Sequence, residues 1–211
     1  MPTAEQNLVA GSRVLILRHA ETSQPDIFHG AESDVGISER GRSQAATIAP
    51  ILAAERPVAV VSSGMRRAVQ SAERIAAACG VSLAVEPTLH ERRVGTLSGT
   101  PTHPSNDLWQ TTIERWKAGE LNYALPGAES FVDICSRVLP AWDRLTHRYN
   151  GQTWILVVHG VVIRALLISI LPEFQPFGWN EIGITNLAVN ELRWDSTRWV
   201  ASRLNHSLAN A

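Results

Sequence analysis

Three short apolar runs punctuate the chain: Arg13-Val14-Leu15-Ile16-Leu17, Val58-Ala59-Val60-Val61 and Trp154-Ile155-Leu156-Val157-Val158. Their apolar residues do not alternate with polar ones, which is the pattern of strands covered on both faces. Between these runs the apolar positions recur at helical spacing. From Glu39 to about Glu55, residues Ala45, Ile48, Ala49 and Leu52 share one face, and Ser38 stands where a helix N-cap belongs. Pro50 inside that pattern is expected to kink or shorten the helix. Arg66 to Cys79 reads as a second helix, ended by Gly80. Ser130-Phe131-Val132-Asp133 is a capping-box-like start for a third, reaching about Tyr149. Val161 to Leu171 forms an apolar helix that Pro172 stops. Thr185 to Leu192 and Arg198 to Leu204 read as an antiparallel strand pair.

Strands that alternate with helices predict an α/β fold. The expected architecture is a three-layer α/β/α arrangement, with a largely parallel central sheet and helices on both faces. The stretch from Thr96 to Gly127 differs in kind. It carries Pro101, Pro104, Pro126, Trp109 and Trp116, shows weak periodicity, and is too long for an ordinary connection. The reading is one domain over residues 1–211, with a lid or pocket wall inserted at about 96–127.

Composition narrows the class. A net charge of −1 over 211 residues argues against a nucleic-acid partner held by a basic field. Two cysteines, Cys79 and Cys135, cannot build a disulfide framework and suggest a reducing compartment. Met1 to Gly11 is polar and lacks the basic-then-apolar order of a secretory signal. The longest apolar stretch, near Val161 to Leu171, is broken by Arg164 and too short to span a bilayer. A soluble cytoplasmic protein with no membrane partner is expected. Of the 19 basic residues only Lys117 is lysine, and it lies outside any glycine-rich turn, so a P-loop is excluded.

Ligands of open parallel sheets bind beyond the carboxyl ends of the strands. After the first strand comes Arg18-His19-Ala20-Glu21-Thr22, after the second Ser62-Ser63-Gly64-Met65-Arg66-Arg67, and after the Trp154 run His159-Gly160. Two histidines and at least two arginines therefore converge on one edge, where Gly160 opens a helix with free backbone donors. That chemistry suits an anion, phosphate above all. No arginine follows either cysteine at the spacing of a cysteine phosphatase, and neither a His-Glu-x-x-His helix nor a Gly-x-Ser-x-Gly elbow occurs. Strand-end arginines would repel a cation, so no metal and no other cofactor is expected.

These segments occur in order with Ile37-Ser38-Glu39-Arg40-Gly41-Arg42-Ser43-Gln44-Ala45, Leu89-His90-Glu91 and Pro126-Gly127-Ala128-Glu129-Ser130. As a set they resemble the histidine phosphatase superfamily, the phosphoglycerate-mutase-like fold, over roughly Arg13 to Leu171. The resemblance implies that His19 is the nucleophile and carries a phosphohistidine. It implies that Arg18, Arg67 and His159 hold the phosphate oxygens, with Thr22 nearby. Glu91 resembles the general acid, which protonates the leaving oxygen and then activates water.

Three positions depart from the family pattern. Ala20 stands where glycine is commoner, and Pro25 where mutases have an asparagine on phosphate. Gly95-Thr96-Leu97-Ser98-Gly99 stands where a Trp-Glu pair often lies between the glycines, which leaves Glu21 and Glu86 as alternative acids. Arg66 reads as a solvated helix residue beside Arg67. His29, His90 and His103 read first as polar loop residues, with a place at the pocket mouth as the alternative. His147 and His206 read as surface residues, Ser130 as a helix cap, and Trp109 and Trp116 as lid packing or substrate contacts.

The expectation is a metal-independent phosphomonoesterase acting on small phosphorylated metabolites. The alternatives are a phosphoglycerate mutase and a non-catalytic phosphate-binding or scaffold member. Within Thr96 to Gly127 only Arg115 and Lys117 are basic among the lysines and arginines, offset by Asp107, Glu114 and Glu120. That favours hydrolysis over phosphoryl transfer between two positions. The oligomeric state, a homodimer among the options, stays open.

Overall fold

The structure, a computed structural model, describes residues 8–102 and 107–208. Among them lies one six-stranded sheet, built from β1 (Arg13–Arg18), β2 (Val60–Ser62), β3 (Leu83–Val85), β4 (Thr153–Val158), β5 (Val189–Trp194) and β6 (Trp199–His206) in the order β3-β2-β4-β1-β5-β6. The first four strands in that order run parallel, and β5 and β6 add an antiparallel hairpin beside β1. Strand periodicity of two sorts the side chains into two cores. Leu15, Leu17, Ile155 and Val157 face α1 (Glu39–Ala54) and α2 (Arg66–Cys79). Val14, Ile16, Leu156 and Val158 face α3 (Asp107–Lys117), α4 (Phe131–Arg148) and α5 (Gly160–Ile170). The expected three-layer α/β/α arrangement is therefore observed.

Several local expectations hold in detail. The Ser38 side chain accepts from the Gly41 amide, and Gly80 closes α2 with φ 68°. Ser130 and Asp133 form a complete capping box at the start of α4. Pro50 does not end α1, which continues to Ala54. The reason is position: Pro50 and Ala46, whose carbonyl loses its helical donor, both sit on the exposed face where water replaces the bond.

Two elements escape the sequence pattern. Strand β3 is three residues long, lies at the sheet edge and is not fully buried, so it carries no alternation to read. Helix α3 lies inside the Thr96 to Gly127 stretch, with Thr112, Ile113 and Trp116 buried. Its buried stripe includes a threonine, which blurs the apolar period. The final hairpin also starts later than expected. Thr185 to Ala188 are diverted from β5 toward the sheet's carboxyl edge, where the Leu187 amide donates to the Arg18 carbonyl at 3.0 Å.

The hairpin is tied to the sheet by a buried carboxylate. Glu191 of β5 accepts from Arg13 of β1 at 2.7 Å and from Arg203 of β6 at 2.7 Å. Burial alone would raise the Glu191 carboxyl, but these arginine hydrogen bonds outweigh it and bring it to about 2. Among the described residues no helix is long and apolar enough to cross a membrane.

Candidate active site

Strands β1 and β4 are neighbours with Arg18 opposite Val158, so the residues that follow them, His19 and His159, emerge side by side. Their ring centroids are 5.2 Å apart. The His19 backbone is held on both sides: its amide donates to the Val158 carbonyl at 2.9 Å, and its carbonyl accepts from Asn186 Nδ2 at 2.7 Å. Its Nδ1 lies 2.7 Å from the Ala20 carbonyl. A carbonyl can only accept, so Nδ1 carries the proton and Nε2 keeps its lone pair. Burial, and then the charges of Arg18 and Arg67, push the His19 imidazole well below its ordinary value. A neutral imidazole with a free Nε2 is the state a nucleophile needs.

His159 caps α5, and its Nε2 lies 2.6 Å from Ser63 Oγ. Its Nδ1 is buried with no partner. Arg67, in the first turn of α2, is 1% exposed and donates from Nη1 to the Ser33 carbonyl at 2.9 Å. Its neighbour Arg66 points to solvent. Arg18 donates from Nη1 to the Ile184 carbonyl at 3.1 Å. The Nε atoms of both Arg18 and Arg67 are buried without a partner. Buried donors are normally satisfied, so the two unpaired Nε atoms beside His19 could take an acceptor-rich anion.

Glu91 enters from the loop after β3. Its Oε1 accepts from the Arg92 amide at 2.9 Å, and its Oε2 lies 3.4 Å from the Val161 amide in the first turn of α5. The loop is clamped from α4. Arg137 donates to the Thr88 and His90 carbonyls, each at 2.8 Å, and binds Glu129 through two nitrogens at 2.8 and 3.0 Å. The alternatives for the acid lie elsewhere. Glu21 accepts from Ser38 at 2.8 Å, Glu86 accepts from Thr88 and Arg144, and neither lines the cavity.

The cavity measures about 190 Å³ and is lined by Arg18, His19, Thr22, Glu91 and Gly160, together with Pro25, Ile27, Phe28, His29, Val94, Thr102, Trp109, Val161 and Arg164. Arg67 and His159 are absent from the lining and nearly fully buried. His29 does reach the cavity wall, so its reading as an ordinary loop residue is corrected. His90 does not, and instead hydrogen-bonds its own loop at the Glu91 carbonyl. His103 lies outside the described residues. Trp116 is fully buried and serves packing, whereas Trp109 both packs on Phe28, Trp116 and Trp179 and lines the cavity. Among the described residues no three His, Cys, Asp or Glu side chains converge as a metal site would require.

Sequence reasoning missed two contributors. Arg164 was noted only as a break in an apolar run, yet a lone charge in such a helix was a signal in itself. The stretch from Ile182 to Asn186 supplies carbonyl and amide partners to Arg164, Arg18 and His19. It carried no motif at all.

Fold and site define a class: an α/β protein with a histidine–arginine pocket at the carboxyl edge of its parallel strands. The family model of the histidine phosphatase superfamily, branch 1, matches residues 14–207. The chain belongs to that superfamily and is a phosphatase enzyme. It is 30% identical to a metal-independent phosphoserine phosphatase of Arabidopsis thaliana over 195 residues, covering 90% of this chain and 79% of that one. It is 28% identical to phosphoglycerate mutase-like protein 4 of the same plant, covering 89% and 82%. A solved mycobacterial glucosyl-3-phosphoglycerate phosphatase, complexed with VO3, superposes with a TM-score of 0.81 at 27% identity, covering 93% of this chain and 100% of that one.

Proposed function

We propose that the enzyme hydrolyses phosphomonoesters of small metabolites, without a metal, through a phosphohistidine on His19. One observation carries this reading: Arg18 Nε and Arg67 Nε are buried donors with no acceptor of their own, and His159 Nδ1 is buried with no partner, all close to a neutral imidazole. A phosphoryl group supplies the missing acceptors. In the first step His19 Nε2 attacks phosphorus, the P–N bond forms, and the P–O bond to the alcohol breaks. Glu91 gives its proton to the leaving oxygen. In the second step Glu91 takes a proton from water, the water oxygen attacks phosphorus, and the P–N bond breaks to release inorganic phosphate. The arginines stabilise the charge on the equatorial oxygens, which is where phosphoryl transfer needs it. The amide at the start of α5 and Thr22 complete the phosphate end.

Hydrolysis is favoured over a mutase reaction by the wall of the pocket. Arg115 is exposed and paired with Glu120 at 3.0 Å, Lys117 is exposed, and neither lines the cavity. No second phosphate site is thus apparent among the described residues of the insertion. The phosphatase names of two of the relatives support the same reading. Cys79 and Cys135 are both free thiols, in keeping with a cytoplasmic setting.

The test is a rapid quench with radiolabelled substrate. The wild-type enzyme is expected to retain label that is acid-labile and alkali-stable, as a phosphoramidate is, and His19→Ala is expected to retain none. Label that persists in the variant overturns the assignment of His19.

A further inference from the structure

Arg92, the residue after the proposed acid, is fully buried, and its guanidinium is only partly engaged by hydrogen bonds. Its Nε donates to the Glu129 carbonyl at 2.9 Å, while Nη1 and Nη2 have no hydrogen-bond partner. Two indoles of α3 take up its remaining surface. The guanidinium carbon lies 5.4 Å from the centre of the Trp109 ring and 5.0 Å from that of Trp116. Those two rings meet nearly edge to face, at 79°, and the cation packs against both. Their places differ. Trp116 is fully buried, with its Nε1 donating to the Tyr123 carbonyl at 2.9 Å, whereas Trp109 forms part of the cavity wall. The carboxylates of Glu91, Glu129 and Glu32 favour the charged form of Arg92, but none accepts from its Nη atoms. Burial outweighs them and brings the guanidinium down to about 10, so it is still charged at neutral pH.

Packing alone does not call for a cation here. A methionine or leucine of similar bulk would fill the space without removing a charge from water. What a guanidinium adds is attraction to aromatic faces, which strengthens where water is excluded. Its Nε also joins it to Glu129, the residue that Arg137 holds from α4. The main chain of the same residue completes the link, because the Arg92 amide donates to Glu91 Oε1 at 2.9 Å. One residue therefore touches the acid through its backbone and the cavity wall through its side chain. We propose that Arg92 is a positioning residue that locks the Trp109 wall to the Glu91 carboxyl, so that a leaving group lying against Trp109 presents its oxygen to the acid; this rests on the phosphatase reading above. The consequence is specific. Proton transfer to the leaving oxygen needs the carboxyl within hydrogen-bond reach, and a small misplacement slows it sharply. The attack of His19 on phosphorus is set by β1 and β4 and does not run through this link.

The experiment measures kcat/KM for phosphate release from 4-nitrophenyl, phenyl and benzyl phosphate, esters of one ring each with progressively more basic leaving oxygens. A nitrophenolate leaves without a proton, whereas a benzyl alkoxide needs one as the bond breaks. In E91Q the loss is expected to grow along that series. R92M is expected to show the same trend, with a loss on benzyl phosphate about 10- to 100-fold greater than on 4-nitrophenyl phosphate. R92K, which keeps the charge without the planar face, is expected to fall between R92M and wild type. W109L, cut on the other side of the link, is expected to repeat the trend. In an E91Q background R92M is expected to add less than about threefold on any ester, because the group it places is gone. A loss in R92M that is equal on all three esters overturns the proposal, as does a full R92M effect on top of E91Q; in either case the phosphatase reading stands. A flat loss in E91Q overturns the acid and this proposal together and leaves His19 in place. No phosphate released by wild type from any of the esters overturns both readings. R92K and W109L carry the same comparison even where R92M fails to fold.

Discussion

At the residue scale, the chemistry depends on which nitrogen of each histidine carries a proton. The Ala20 carbonyl holds the His19 proton on Nδ1, and burial beside two arginines keeps the ring neutral. Because the folded ring binds its second proton well below the ordinary value, it stays a nucleophile on the acid side of neutrality. Nitrogen NMR of the unliganded enzyme is expected to report the neutral Nδ1–H form at pH 6.5; a ring charged at that pH contradicts the assignment. His159 has a different role. Its imidazole is held by Ser63, and its Nδ1 is buried without a partner close to His19. His159→Ala is expected to lower kcat by about 10²- to 10³-fold, the cost of deleting one donor to developing negative charge.

At the scale of elements, the proposed acid Glu91 is only as well placed as the loop that bears it. Helix α4 holds that loop through the Arg137–Glu129 pair, whose side chains are 14% and 6% exposed. Glu129 also accepts from the Arg93 amide at 2.8 Å, and its carbonyl accepts from Arg92 Nε at 2.9 Å. Removing one partner of a buried pair leaves an uncompensated charge. Glu129→Ala is therefore expected to cost about 3–5 kcal/mol in urea unfolding. Its kcat is expected to fall more than its affinity for inorganic phosphate, because Glu91 moves while His19 and the arginines do not. A variant that loses stability but keeps full kcat would show that the clamp does not position the acid. Much of this level was legible in the sequence. Gly41, within the quoted motif, lets α1 approach the loop after β1 so closely that an added Cβ would overlap the Glu21 carbonyl oxygen. Helix α2 matches its predicted limits because Gly80 adopts the left-handed conformation the chain end requires. Helix α3 and strand β3 were not legible, since neither buries a regular apolar face.

At the scale of the whole molecule, the question is whether water or a second hydroxyl takes the phosphoryl group. A mutase must retain a bisphosphorylated intermediate and exclude water. The described residues of the insertion that reach the cavity are Thr102 and Trp109, the latter packed in a cluster with Phe28, Trp116 and Trp179, and neither is a cation. Incubation with 3-phosphoglycerate, with and without 2,3-bisphosphoglycerate, is expected to release inorganic phosphate at least about tenfold faster than it forms 2-phosphoglycerate, a difference in barrier of roughly 1.4 kcal/mol. The reverse order of rates would move the enzyme to the mutase class.

The sequence by itself determined the layered architecture and which side chains follow the buried strands. Both rest on short-range patterns: periods of two and of 3.6, caps within three residues, and side chains placed directly after buried strands. The tertiary structure alone decided which of those side chains stay without partners. Asn186 reaches the His19 carbonyl across 167 positions of chain, and the Ile184 carbonyl takes one nitrogen of Arg18 while leaving another unpaired. The same applies to Arg164, whose place on the cavity wall becomes visible only when α5 is packed against the loop that holds Ile182. Unpaired donors and a shared cavity are properties of a neighbourhood assembled from distant segments. No local period in the chain encodes them.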